Sequence, residues 1–271
     1  MAVSALTVCA LAVVGSLAAG TGPLAGMGGT AGAATSGTAG KSADQILAAA
    51  KKAEVAARGV HVVGTIAEGS DTIKFVVDVN HAGNGQGTFT EVGQSLKIKK
   101  LGSRVYVYAD KAFWTKNGGA AVARQIGNRW VTTSSSGQFQ SLAQFFDISR
   151  MTTGLLPTGG GRPVKGATVT VGGQKVVPLR TTTKGSTTKG STTTGSTTST
   201  QSTTLYVAAT GTPYVVKATA TNGDESGTIT FGHYGEPVVV KAPSKTLNLS
   251  QLSAGTTTTT TATTATTATT G

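Results

Sequence analysis

The chain has 271 residues, of which 13% are charged and 38% hydrophobic, with 38 glycines, one cysteine and a net charge of +12. A single cysteine excludes an internal disulfide and a cysteine-based zinc cluster, and the low charge density excludes disorder throughout. A diffuse positive balance suits anionic membrane or cell-wall surfaces. Nucleic acid is not an expected partner: the local basic cluster at Lys97, Lys99, Lys100 and Arg104 has no interleaved stacking aromatics, and no helix-turn-helix or zinc-finger spacing occurs.

Residues 1–34 read as a signal peptide. Ala5 to Ala19 is an uncharged apolar core, and Ala-Gly-Ala-Ala at 31–34 offers a cleavage site. No charged segment precedes the core, which leaves the true start open. Leu6-Thr7-Val8-Cys9 has a faint lipobox outline, but an apolar run follows where a polar tether belongs. Cys9 is therefore read as a small apolar residue of the signal in preference to a lipidation site. About 15 strongly apolar residues fall short of the roughly 20 that a membrane span needs.

Residues 35–41 form a linker, and a domain of roughly 200 ordered residues spans 42–255, long enough for one sizeable core. Ser42 followed by Gln45 is a capping-box pattern. Ile46, Leu47, Ala50, Ala53 and Ala57 recur at helical spacing with Lys51, Lys52 and Glu54 elsewhere around the turn, and Gly59 stops the helix. The period then changes to two. Strands are expected at 60–67, 73–80, 88–92, 96–99 and 105–108, joined by polar or glycine-rich turns, with Phe113 and Trp114 ending the meander. A short helix is expected over 120–126. Phe139, Leu142, Phe145, Phe146, Met151, Leu155 and Leu156 make a second apolar stripe. Strands resume at 169–180 as a hairpin, at 205–208, at 214–220, and in a last pair at 227–231 and 238–241. The insert at 181–204 lacks apolar residues over most of its length and is expected to be disordered, as is the Thr-rich tail at 256–271. The fold class is α+β, one curved antiparallel sheet packed over a few helices.

Chemistry-bearing motifs are scarce. His61, His81 and His233 lie far apart and none has a ligand-spaced partner, so no metal site is expected. No serine sits in a Gly-x-Ser-x-Gly elbow, and the 11 carboxylates show no paired spacing. Gly83-Asn84-Gly85-Gln86-Gly87 lies between strands with no helix after it, which reads as a hairpin turn and not a phosphate loop. No catalytic residue and no cofactor is assigned, and the chain is not expected to be an enzyme. The apolar positions that face the helices are Ile66, Phe75, Val77, Leu96, Ile98, Val105 and Val107 on strands and Phe145, Phe146, Met151 and Leu155 beyond them. By patterning alone they close into an ordinary dry core.

VYVYADKAFW (105–114), GNRWV (127–131), LYVAATGTPYVVKATA (205–220) and GTITFGHYGEPVVVKAP (227–243), in this order, resemble the LppX/LprA/LprF/LprG envelope lipoproteins, whose fold is similar to that of LolA. The resemblance covers about residues 42–245. It implies a half-barrel sheet over helices, with an apolar cavity holding the acyl chains of a lipid or glycolipid. It implies an exported carrier at the outer face of the cytoplasmic membrane, in the cell wall or outside the cell, with the apolar positions above as cavity lining. The resemblance transfers no catalytic residue. Two departures stand out: a lipobox cysteine before the linker is missing, and the insert at 181–204 is unlike the family hairpin. The alternative reading is a secreted dry-core protein that binds anionic cell-wall polymer through its basic surface.

Overall fold

Ser42 opens the first long helix, α1 (Ala43–Ala56). Its hydroxyl accepts from Gln45 N while Gln45 Oε1 accepts from Ser42 N, so both orphan donors are satisfied. The computed structural model describes residues 37–91, 94–136, 143–148, 151, 161–184 and 200–249. The segment expected to be a signal, with Cys9, the tail and most of the Thr-rich insert lie outside the described residues.

A run of antiparallel hairpins follows: β1 (Gly59–Glu68), β2 (Asp71–Asn80), β3 (Gly85–Glu91), β4 (Gln94–Leu101) and β5 (Arg104–Ala109). Helix α2 (Lys111–Ile126) comes next, then β6 (Trp130–Ser134), β7 (Val164–Lys165), β8 (Val169–Val171), β9 (Gln174–Lys184), β10 (Thr200–Ala208), β11 (Val215–Asn222), β12 (Glu225–Gly232) and β13 (Thr246–Asn248). All described strands join one open sheet in the order β13-β6-β5-β4-β3-β2-β1-β12-β11-β10-β9-β7, with β8 paired to β9. It is the curved half-barrel of the expected α+β class. One face buries Val60 and Val62 of β1, Phe75, Val77 and Val79 of β2, Leu96 and Ile98 of β4, and Val105 and Val107 of β5. The helices supply Ile46, Ala50, Phe113, Trp114, Ala123 and Ile126 to the same core.

Several elements differ from expectation. Phe113 and Trp114 do not end a strand; they sit in the first turn of α2, because Asp110 caps that helix by accepting from Phe113 N at 2.7 Å. Gly119, at φ 84°, breaks the helix, and its second half is the segment expected at 120–126. Gly59 is no helix stop but the buried first residue of β1, where a Cβ would lie 2.4 Å from the Glu236 carbonyl. Residues 181–184 and 200–204, expected to be disordered, continue β9 and β10 in register. Threonine suits a pleated surface, and the ladder extends without aliphatic side chains.

No strand forms at 238–241. The chain leaves β12 in mid-sheet and reaches the far edge as a strap over the outer face. There Asn80 Nδ2 donates to the Val238 carbonyl at 3.1 Å and Lys99 Nζ to that of Lys241 at 3.3 Å. Pro237 and Pro243 lack the donors a ladder requires. The strap ends in β13, parallel to β6.

Candidate functional site

The inner face narrows to an aromatic cluster. Phe75 and Phe89 stack with centroids 5.7 Å apart, and Phe145 packs edge-on against both, at 5.5 and 5.2 Å. Glycine makes the room: a Cβ on Gly64 would fall 2.1 Å from the Phe75 ring, and one on Gly85 2.4 Å from that of Phe146. The 3₁₀ turn Gln144–Phe146 thus presses against the end of the β2–β3 hairpin.

At this rim opens a pocket of about 450 Å³. Ala143, Phe146 and Ile148 line it with apolar side chains, and all three are buried. The β2–β3 turn supplies Asn80, His81 and Gly83, α1 supplies Glu54 and Val55, and Lys100, Ser135, Gln144 and Asp147 complete the wall. The turn is held by Asn80 Oδ1, which accepts from Ala82 N at 3.1 Å and Asn84 N at 3.0 Å. Lys100 Nζ donates to the Gly83 carbonyl at 2.6 Å. The pocket therefore combines buried apolar side chains with charged and amide groups in one lining, a combination that suits an amphiphile.

Glu54 is the least expected of these groups. The helical pattern places it away from the apolar face, yet it is only 2% exposed and shares the inward stripe with Ile46 and Ala50. Spacing from Ile46 and Ala50 at i, i+4, i+8 was the signal that could have found it. Tyr234 lies nearby, its hydroxyl donating to the Val215 carbonyl at 2.8 Å. Burial, reinforced by the Glu54 charge and then by Tyr214, pushes the Tyr234 phenol far above its ordinary range, so it is neutral at physiological pH.

Phe75, Val77, Leu96, Ile98, Val105 and Val107 come together on the inner face, each 0–3% exposed. Ile66, Phe145 and Met151 are half-buried against the same core. Leu155, like Phe139, Leu142 and Leu156, lies outside the described residues. Of the described residues among these expected lining positions, Phe146 alone borders the rim pocket. Phe89, Ile148 and Lys100 were not singled out as lining; the glycines around Phe89 in β3 weaken its alternation. Among the described residues no helix is long and apolar enough to cross a membrane, and no group of three or more His, Cys, Asp or Glu side chains could hold a metal ion.

No family model and no curated protein sequence matches the chain. Among solved structures it is similar to the Mycobacterium tuberculosis lipoprotein LppX, at TM-score 0.47 and 18% identity, covering 73% of this chain and 99% of that one. LprF from Mycobacterium bovis gives TM-score 0.47 and 18% identity over 74% of this chain and 96% of that one. MucB gives TM-score 0.35 and 14% identity over 75% of this chain and 63% of that one. LppX and LprF are two of the lipoproteins that the sequence phrases resemble.

Proposed function

We propose that the chain is an exported, non-enzymatic carrier that shelters the acyl part of a lipid and presents its polar end at the rim pocket. The observation that carries this reading is the pocket itself. Its buried wall residues Ala143, Phe146 and Ile148 belong to the same core cluster as Phe75 and Phe89, with Phe145 packed against it, while Asn80, Lys100 and Gln144 add polar groups to the lining. Each methylene drawn from water into such a lining contributes about 0.8 kcal/mol before the costs of ordering. The phrases shared with the LppX/LprG-type lipoproteins point the same way.

Native mass spectrometry of the full chain, purified gently from its own host, tests the proposal. A discrete extra mass that leaves on organic extraction is expected. Gln144→Trp, at an exposed position of the pocket wall, should reduce loading at least tenfold and leave the thermal midpoint within a few degrees. Unchanged loading in that variant would place the lipid elsewhere.

A second reading has its own observation. The side chains of β2, β4 and β5 expected to line a cavity are sealed at 0–3% exposure, as in a dry core, and the outer face carries Lys97, Lys99 and Lys241. A clean unliganded mass with no uptake of added phospholipid or glycolipid would favour a protein that binds anionic cell-wall polymer through this basic surface.

A further inference from the structure

The two ends of the sheet differ in charge. β2 runs from Asp71 to Asn80, and Asn80 lines the rim pocket. At the Asp71 end the register sets Glu68 opposite both Asp71 and Glu225. Asp224 lies in the turn before Glu225, and Glu91 ends β3 opposite Ile73. These hairpin turns gather Glu68, Asp71, Glu91, Asp224 and Glu225, nearly half of the chain's 11 carboxylates, at one end. Lys184, where β9 stops at the same end, leaves the balance negative.

The pocket end is basic. Val55 lines the pocket from the last turn of α1 and is 64% exposed. It follows Lys51 and Lys52 by four and three residues, so the three side chains are neighbours on the helix surface. Arg58 comes next and is exposed; its carbonyl accepts from the His81 amide at 3.1 Å, which sets it beside the β2–β3 turn. Asn84 of that turn accepts from Gly102 N at 2.7 Å, so the β4–β5 turn joins the same end and brings the exposed Arg104. Lys100 lines the pocket itself. Of the carboxylates toward this end, Glu54 is buried and Asp147 half-buried, and Asp78 and Glu236 each lie against a histidine, 2.6 Å from His61 and 2.9 Å from His233.

We propose, resting on the carrier reading above, that the pocket end is a docking surface for an anionic bilayer. Lys51, Lys52, Arg58, Lys100 and Arg104 meet the headgroups, Val55 enters among them, and the acidic turns face away. Charge complementarity selects the partner, since each Lys or Arg near such a surface strengthens binding about fivefold. Distance selects the orientation. The length of β2, at about 3.3 Å per residue, places the two ends roughly 30 Å apart. Salt screens charges beyond about 8 Å, so the acidic turns do not oppose the docked pose, whereas contact through them would be repelled.

Co-sedimentation of the full chain with phosphatidylcholine vesicles, with and without phosphatidylglycerol, tests this. Binding is expected only with phosphatidylglycerol and should fall as salt rises. Arg58→Gln and Arg104→Gln should each weaken it about fivefold and the pair about 25-fold. Lys74→Gln and Lys97→Gln, at exposed positions of the outer face, should each change it by less than about twofold. Brominated phosphatidylglycerol should quench the fluorescence added by Val55→Trp and leave that added by Ser70→Trp, in the β1–β2 turn, unchanged. Equal binding to both vesicle types, equal losses in the Lys74→Gln and Arg58→Gln variants, or quenching of the Ser70→Trp variant in place of the Val55→Trp variant would each overturn the surface. Retention by a soluble anionic polysaccharide without vesicle binding would overturn it too. Docking by a chain that carries no lipid in native mass spectrometry would support the surface and fault carriage; lipid carried by a chain that does not dock would overturn the surface alone.

Discussion

Two stretches of the same inner face obey one alternation with different chemistry. Across β2, β4 and β5 the inward positions are Phe75, Val77, Leu96, Ile98, Val105 and Val107. Along the β9–β10 hairpin they begin as aliphatics, with Leu205 opposite Leu179, and then change to Thr203 opposite Thr181, with Thr183 beyond. All three threonines are buried, and the Thr203 hydroxyl has no hydrogen-bond partner among the described residues. A fully buried aliphatic side chain contributes about 1.5–3 kcal/mol, whereas a buried hydroxyl costs free energy unless it is bonded. The first stretch therefore supplies stability through its side chains, and the second is held through its backbone ladder to β11.

Phe75→Ala is the strongest way to break this contrast. It empties the centre of the aromatic cluster and should cost about 3–5 kcal/mol, measured by urea unfolding. Thr181→Ala in the same assay should cost under about 1 kcal/mol, since it removes little apolar surface. Equal losses would mean that the hairpin is as much a part of the core as β2. Gly85→Ala should have an intermediate effect. The new methyl would lie 2.4 Å from the Phe146 ring and 2.5 Å from the Asp78 carbonyl, an overpacking worth about 1–3 kcal/mol. Because Phe146 lines the pocket, lipid loading should fall too; loading that survives would separate pocket shape from carriage.

The meander was legible because each hairpin keeps one apolar face and a polar turn, and β1, β2, β4 and β5 follow the period of two closely. The capping box at Ser42 was equally plain. What escaped was long-range. Residues 238–241, Val-Val-Val-Lys, have the β-branched composition of a strand, but only the topology shows that the chain must cross from β12 to β6 over the outer face. His61 and His233, far apart in sequence, meet because β1 pairs with β12, which sets His61 opposite Gly232. The helical spacing sets Glu54 apart from the apolar positions, and carboxylates rarely enter a core. At the other extreme, the Thr-rich insert was read as disordered because its composition lacks apolar residues, yet pairing is carried by the backbone, and both of its ends extend the sheet.

A substitution of opposite sign tests that last point most directly. Valine matches threonine closely in shape and suits a strand as well. Thr203→Val leaves the β9–β10 ladder intact, replaces a buried hydroxyl that lacks a partner, and turns the face locally into the chemistry of β2. It should raise stability by about 1 kcal/mol, the order of the penalty for an unmade hydrogen bond. The readout is a higher urea midpoint with an unchanged slope, since the surface exposed on unfolding stays the same. A gain would show that the hairpin is stabilised by its backbone despite its inward side chains. A loss of similar size would show that the Thr203 hydroxyl is used, and the two stretches would then differ in the kind of side-chain bonding and not in its amount.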